Sequence, residues 1–243
     1  LVAQDSTMYG FDLKLKNGLI KLLETLEKVD GLEWIRILYG YPTFYSEDLI
    51  KFIAGSEKVA DYFDIPFQHC SDTILKKMAR QERKKDIKII LENINRYSQS
   101  PFIRTAFITG FPGETKKEFN ELSQFIDEWN FSRVGIFQYS HEELSDAYKY
   151  KDTVSSKEKE ERAHILMDIV DEKIKEINQK SVGKKIKVIV DGFREDEMIV
   201  TGRTSQMSPD IDGEIILQEV EAQEGEIVEV EVKAFSGPDL IAG

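Results

Sequence analysis

The residues best placed to do chemistry lie in Arg104-Thr-Ala-Phe-Ile-Thr-Gly-Phe-Pro-Gly-Glu-Thr115. An apolar, β-branched run ends there in a glycine-bearing turn, and Thr115 with Glu118 forms a capping box for the next helix. Backbone N–H groups at such a turn point past the strand end, where they can seat an anion or the polar end of a cofactor. The same residues also suit a bare βα connection, since a fold element does not by itself make a site. A nucleotide P-loop is excluded, because no Gly-Lys-Ser/Thr follows the glycines. Ser140-His141-Glu142 is no hydrolase relay: neighbours on one loop do not converge as nucleophile, base and carboxylate. His69 and His141 can titrate near neutrality. Cys70, the single cysteine, allows neither an internal disulfide nor a cysteine-built metal site; it reads as an inert, partly buried thiol. Arg36, Asp64 and Arg104 fall inside predicted strands. Buried charges need partners, so they form an ion network in the sheet interior, or one arginine grips a ligand carboxylate bidentately.

These residues must be positioned by the elements around them. Leu1–Ala3 is strand-like and delivers Gln4, Asp5 and Ser6. Asn17 is placed to cap a helix carrying Leu19, Ile20, Leu22, Leu23, Leu26 and Val29, which Gly31 stops. Trp34–Tyr39 is the second strand. Ser46, with Glu47 and Asp48, starts the next helix. Tyr62–Phe67 is the third strand, Ser71 caps a short helix through Met78, and a further helix runs from about Lys84 to Tyr97. The central strand, a helix over Thr115–Trp129 and a fifth strand, Val134–Tyr139, complete the series. Strands alternating with helices predict βαβ units and a parallel sheet, here part of a (β/α) barrel. Its active rim then carries five clusters: Gln4-Asp5, Tyr39–Tyr41, Gln68-His69, Thr109-Gly110-Phe111 and Tyr139-Ser140-His141. A Ser155/Glu158 capping box opens a long helix to about Lys180, with Ile165, Leu166, Ile169, Ile174 and Ile177 on its apolar stripe.

From Gly183 the texture changes. Lys185–Val190, Met198–Gly202, Glu214–Leu217 and Glu226–Lys233 read as short strands divided by Asp191-Gly192, Asp212-Gly213 and Glu224-Gly225, a small all-β barrel. The predicted domains are therefore 1–180 and 181–243. Residues 181–243 hold 6 Lys+Arg against 14 Asp+Glu, a charge of −8, while residues 1–180 hold 27 against 31. This acidic module suits a basic partner and repels phosphate backbones. The whole-chain charge of −12 argues against non-specific nucleic-acid binding. No run reaches the ~20 apolar residues of a membrane span, and no secretory leader is present, so the expected compartment is the cytoplasm and the expected state a monomer. The opening Leu1-Val-Ala-Gln-Asp5 looks like the middle of a core strand, and a piece of a longer protein is expected.

Six ordered stretches carry a resemblance: Leu1-Val-Ala-Gln-Asp-Ser6, Ile35-Arg-Ile-Leu-Tyr39, Asp64-Ile-Pro-Phe-Gln-His-Cys-Ser71, Leu75-Lys-Lys-Met-Ala-Arg80, Phe107-Ile-Thr-Gly-Phe-Pro-Gly-Glu114 and Phe137-Gln-Tyr-Ser-His-Glu-Glu143. Together they resemble the radical S-adenosylmethionine methylthiotransferases, on the side of the group that modifies a ribosomal-protein aspartate. Gly202-Arg-Thr-Ser-Gln-Met-Ser-Pro-Asp-Ile-Asp-Gly213 resembles a TRAM domain. The resemblance implies a radical SAM barrel and S-adenosylmethionine as cofactor. It also implies two 4Fe-4S clusters, and methylthio addition to the β-carbon of an aspartate in a small-subunit ribosomal protein by way of a 5′-deoxyadenosyl radical. It implies an electron donor and, through the acidic module, docking of that basic ribosomal protein with no RNA contact. On this likeness Thr109, Gly110 and Phe111 contact the adenosine, and Gln68 lies where substrate and radical meet. Gln4 and Asp5 hold the ribose hydroxyls, though Asp5 also suits a capping role beside Ser6. Arg80 and Arg104 are rival partners for the methionine carboxylate. The family's cluster cysteines lie outside the stretches matched, so this chain is expected to ligate neither cluster and to be inactive alone. A tRNA methylthiotransferase shares the same core, and a non-catalytic docking scaffold is the other alternative.

Overall fold

Two sets of strands, one parallel and one antiparallel with a single parallel closure, organise the computed structural model, which describes residues 1–194 and 199–243. The chain divides into compact units Leu1–Val170 and Asp171–Gly243, so the division falls within the long helix rather than after it.

In the first unit the helices are α1 (Gly18–Leu26), α2 (Glu47–Gly55), α3 (Asp72–Lys77), α4 (Lys84–Tyr97), α5 (Lys116–Glu128) and α6 (Ser156–Gln179), the last continuing into the second unit. The sheet is β1 (Tyr62–Asp64), β2 (Phe102–Thr109) and β3 (Arg133–Gln138), in order β1-β2-β3 and parallel throughout. Helices between successive strands force this parallel pairing. On one face Ile103, Thr105, Phe107 and Thr109 are buried. Phe107 meets Phe125 of α5 edge-on at 6.3 Å and Phe131 at 5.8 Å, the aromatic heart of that layer. On the other face Arg104, Ala106 and Ile108 are only half-buried. β2 has a strand on each side, and one of its faces is half open.

Two predicted strands form no ladder. Trp34–Tyr39 divides its hydrogen bonds between neighbours: Leu38 N–H donates to Leu1 C=O (3.0 Å), and Gly40 N–H to Asp64 C=O (3.0 Å). Only Ile35 makes a bridge, with Val59. Leu1–Ala3 likewise forms no strand and is exposed. Asn17 precedes α1 in the left-handed conformation and its side chain caps nothing, nor does that of Ser71 at α3. Ser46 and Thr115 do cap. Ser46 Oγ accepts from Leu49 N–H at 3.2 Å, and Thr115 closes a full capping box with Glu118. Thr115→Ala should cost about 1 kcal/mol in urea unfolding, as lost helix N-caps do. On α6 the buried side is Lys159, Arg162, Ala163, Leu166 and Val170, whereas Ile165 of the expected stripe is exposed.

The second unit holds a closed five-stranded barrel, β4 (Lys185–Arg194), β5 (Ile199–Arg203), β6 (Ile215–Leu217), β8 (Asp239–Ala242) and β7 (Ile227–Ser236), in that spatial order. Val188, Val190, Ile215, Leu217, Val232 and Leu240 fill it. Asp191-Gly192 does not divide two strands. It is a β-bulge inside β4, where the register shifts between Val190 and Gly192. Of the predicted second strand, Met198 lies outside the described residues. β8 was not foreseen; it pairs antiparallel with β7 and parallel with β6 to close the barrel.

Candidate functional site

The segments that carry the five clusters expected on one rim are linked in series by backbone hydrogen bonds at or beside those clusters. Ser6 N–H donates to Tyr39 C=O (2.8 Å) and Gly40 N–H to Asp64 C=O. Gln68 N–H donates to Ala106 C=O (2.8 Å), Ile108 N–H to Gln68 C=O (2.7 Å), and Tyr139 N–H to Thr109 C=O (2.9 Å). Two non-glycine residues on this rim are left-handed, Tyr39 (φ 56°) and Gln68 (φ 68°). Such backbone costs of order 1–3 kcal/mol and clusters where function constrains the chain.

Arg80, just past α3, is held on three sides. Its Nε donates to Glu82 Oε1 at 2.6 Å, one terminal nitrogen donates to Pro66 C=O at 2.7 Å, and the guanidinium lies 4.3 Å from the centre of the Tyr41 ring. A planar fork fixed this way presents its remaining donors in one direction. Arg104 instead pairs with the buried Asp64 at 2.9 Å, and the second Asp64 oxygen accepts from Tyr39 N–H at 2.9 Å. The expected ion network is therefore real at Asp64 and Arg104. Arg36 stands over the Tyr62 ring at 5.4 Å, and Tyr62 stacks on Phe102 at 5.1 Å.

Asp5 caps. Its Oδ1 accepts from Thr7 N–H at 2.9 Å and Tyr41 N–H at 3.3 Å, and bonds the Thr7 hydroxyl. Gln4 is exposed beside it. Phe111 is buried, edge-on to Tyr139 at 5.0 Å and Tyr150 at 6.3 Å, so its ring is part of a packed aromatic cluster rather than an open stacking face. His141 stacks on Tyr148 at 4.6 Å.

The anion seat at the β2 turn is filled by the chain itself, which sequence reasoning missed. The carboxylate of Glu114 folds back over the turn. It accepts from Gly110 N–H (2.9 Å), the Thr109 hydroxyl (3.1 Å) and Arg162 of α6 (2.6 Å). His69 Nδ1 accepts from the Cys70 and Ser71 N–H groups, both at 2.9 Å, so the ring proton belongs on Nε2. Nε2 lies 3.4 Å from Glu114 Oε2, a long contact and its best one. Burial pushes the Glu114 carboxyl up, but the neighbouring His69 ring and the Arg162 guanidinium overcome that and hold it below its ordinary value. Lys159, also buried, donates to Tyr139 C=O (3.2 Å) and pairs with Asp152 at 2.6 Å. Its stem lies against Gly110, where an added Cβ would come within 2.4 Å of Lys159 Cγ. The available signal was Glu114 itself, a carboxylate four residues past a turn glycine.

An iron–sulfur cluster requires thiolates. Burial first, then Glu121, pushes the Cys70 thiol up to about 12. Among the described residues no three His, Cys, Asp or Glu side chains form a group able to hold a metal ion. The described residues therefore do not fit a cluster. Native Cys70 should resist iodoacetamide at pH 8 and label only in denaturant, read by intact mass. Among the described residues no helix is long and apolar enough to cross a membrane.

Comparison with known proteins gives concordant results. Residues 7–126 match the Radical SAM superfamily and residues 182–243 the TRAM domain. The ribosomal protein uS12 methylthiotransferase RimO of Aquifex aeolicus is 41% identical over 242 residues, 99% of this chain and 56% of that protein. The RimO of Clostridium kluyveri is 42% identical over 242 residues, 99% of this chain and 54% of that protein. The chain thus spans about half the length of the curated relatives it matches. Among solved structures, coproporphyrinogen III oxidase (HemN) from Escherichia coli, a radical SAM enzyme, is 20% identical with a TM-score of 0.45, over 68% of this chain and 37% of that one. With a Radical SAM match and a TRAM match in order and relatives aligned along nearly all its length, this chain is similar to the RimO methylthiotransferases.

Proposed function

We propose that the protein containing this chain adds a methylthio group to the β-carbon of an aspartate in ribosomal protein uS12, in the cytoplasm. The observation that carries this reading is the 41–42% identity to RimO proteins along 99% of the chain. The Radical SAM match implies S-adenosylmethionine and iron–sulfur chemistry; two 4Fe-4S clusters, ligated outside this chain, and an electron donor complete the proposal. S-adenosylmethionine supplies the radical chemistry when bound.

Residues 1–180 are read as the C-terminal part of the barrel that holds this cofactor. Arg80 fits its carboxylate better than Arg104, because Glu82, Pro66 and Tyr41 aim Arg80 while Arg104 is tied to Asp64. Gln68, fixed in a left-handed backbone, offers its amide at the rim. Gln4, with Asp5 beside it, borders the ribose position. Thr109, Gly110 and Phe111 act there as a stiff wall behind the adenosine, since the N–H of Gly110 is already spent on Glu114. Residues 181–243, at −8, suit a basic ribosomal protein and disfavour RNA, which argues against the tRNA-modifying alternative.

The direct test is anaerobic reconstitution of the full-length protein beside this chain, followed by mass spectrometry of uS12. About eight irons per full-length chain, as two four-iron clusters require, and a methylthio-modified aspartate are expected. Unmodified uS12 after full iron loading would overturn the reading. For the cofactor contact, Arg80→Lys should weaken S-adenosylmethionine binding in equilibrium dialysis about tenfold, because an ammonium cannot replace a bidentate fork.

A further inference from the structure

β3 is an outer strand of the parallel sheet, and its far edge carries no partner strand. The register Thr105↔Val134, Phe107↔Ile136 and Thr109↔Gln138, continued by Tyr139 N–H on Thr109 C=O at 2.9 Å, turns the main chain of Gly135, Phe137 and Tyr139 toward β2. In a parallel ladder the residues between them face the other way. The N–H and C=O groups of Val134, Ile136 and Gln138 therefore point outward, where they meet no partner among the described residues. The opposite edge of the sheet is covered: Gly40 N–H donates to Asp64 C=O at 3.0 Å, and Ile35 bridges Val59 just before β1.

Natural sheets blunt exposed edges with lysine, proline, bulges or covering segments. From Val134 to Gln138 β3 has no lysine and no proline, and it pairs with β2 without a register shift. It carries an aromatic ring instead. Phe137 is 57% exposed, on the same face as Ala106 and Ile108. Its ring lies back along the strand, where a Cβ on Gly135 would come within 2.8 Å of Phe137 Cε2. A row of unpaired main-chain groups beside an exposed aromatic is what an added strand bonds and buries. Charge selects the occupant. Where β3 leaves the sheet, Glu142, Glu143 and Asp146 are exposed, and no Lys or Arg falls between Val134 and Tyr148. The next cation, Lys149, lies over the Tyr150 ring at 5.5 Å. A basic segment is the complement.

We propose that the outer edge of β3 takes up an extended, basic segment of the substrate protein uS12 as an added strand, bonded to Val134, Ile136 and Gln138 and leading toward Glu142 and Glu143. The inference rests on the uS12 reading above and deepens it. Gln138 stands next to Tyr139, which is bonded to Thr109, so the end of this edge lies at the rim assigned to the cofactor. Main-chain pairing carries the target aspartate there, and side-chain charge sets which segment pairs.

The test is hydrogen exchange of the full-length protein, read by mass spectrometry over residues 133–140, with and without purified uS12. The outward amides should exchange freely in the protein alone and slow by about tenfold or more once uS12 saturates. Gln138→Pro removes one outward N–H and puts a ring in its place, a change an edge strand tolerates. It should weaken uS12 binding about tenfold and leave S-adenosylmethionine binding unchanged. Gln138→Ala keeps the N–H and should bind uS12 within about twofold of wild type. Amides already protected at every concentration of the protein alone would show that the protein covers this edge itself. Protection that grows with protein concentration would show that a second copy does, and either result overturns the proposal. So does unchanged uS12 affinity in a folded Gln138→Pro, or an equal loss in Gln138→Ala. If any of these occurs while uS12 is still methylthiolated, only the edge assignment falls. If the wild-type protein neither binds nor modifies uS12, the functional reading falls with it.

Discussion

Arg162→Ala lowers the stability of the first unit by about 3–5 kcal/mol at neutral pH, the range seen when one member of a buried ion pair is removed. Glu114 is fully buried, and Arg162 reaches it across 48 positions of sequence to satisfy both its Oε1 (2.6 Å) and its backbone carbonyl (3.1 Å). Without that guanidinium the charge remains inside the protein with only Thr109, Gly110 and the distant His69 Nε2 around it. The pH dependence gives a second readout. Because the folded carboxyl is held below its ordinary value of 4.5, its contribution is complete above that value and is lost as pH falls through the lower folded value. In the variant burial is opposed by fewer partners, and a protonated Glu114 needs no cation. The stability gap between the two proteins is therefore widest at pH 7 and shrinks toward pH 4. A gap that stays constant across that span would mean that Arg162 acts by packing on Phe119, 5.3 Å from its guanidinium, and not through Glu114.

The second large effect is expected at Gly110. Its φ of +76° costs an alanine about 1–2 kcal/mol in backbone terms. The new methyl would also meet the Lys159 stem at 2.4 Å, a clash with a buried side chain pinned by Asp152, which adds about 1–3 kcal/mol as overpacking does. The two parts separate in a double-mutant cycle. In a Lys159→Ala background Gly110→Ala keeps only the backbone share, about 1–2 kcal/mol. Equal costs in both backgrounds would show that Lys159 yields freely.

Why some of this was legible in the sequence, and some not, follows from the range of the interactions. Helix starts marked by Ser46 and Thr115 are local, one hydroxyl answering an N–H two or three residues on, and α4 could be bounded from its own periodicity. The rim clusters could be placed because parallel topology puts successive strand ends together. Asn17 and Ser71 were misread as caps because the residue type was right but Asn17 has a left-handed backbone and the Ser71 side chain accepts no N–H at the start of α3. Trp34–Tyr39 has strand composition but shares its hydrogen bonds between two neighbours, which no single-segment pattern reveals. Glu114 with Arg162, Arg80 with Pro66, and the left-handed Gln68 are tertiary facts. Nothing in the spacing of those residues distinguishes an anion seat open to a ligand from one the chain fills itself.

The closure of the second unit by β8 has a consequence for the order in which the protein takes shape on the ribosome. The parallel sheet has all its strands by Gln138, and domains fold as they emerge at roughly 5–20 residues per second. The barrel has no such early option. β8 is its last strand in sequence yet sits between β6 and β7, so both remain open-edged until residue 242 has been made. Nascent chains halted before that point would expose the unpaired edges of β6 and β7 to chaperones, while the parallel sheet is already formed.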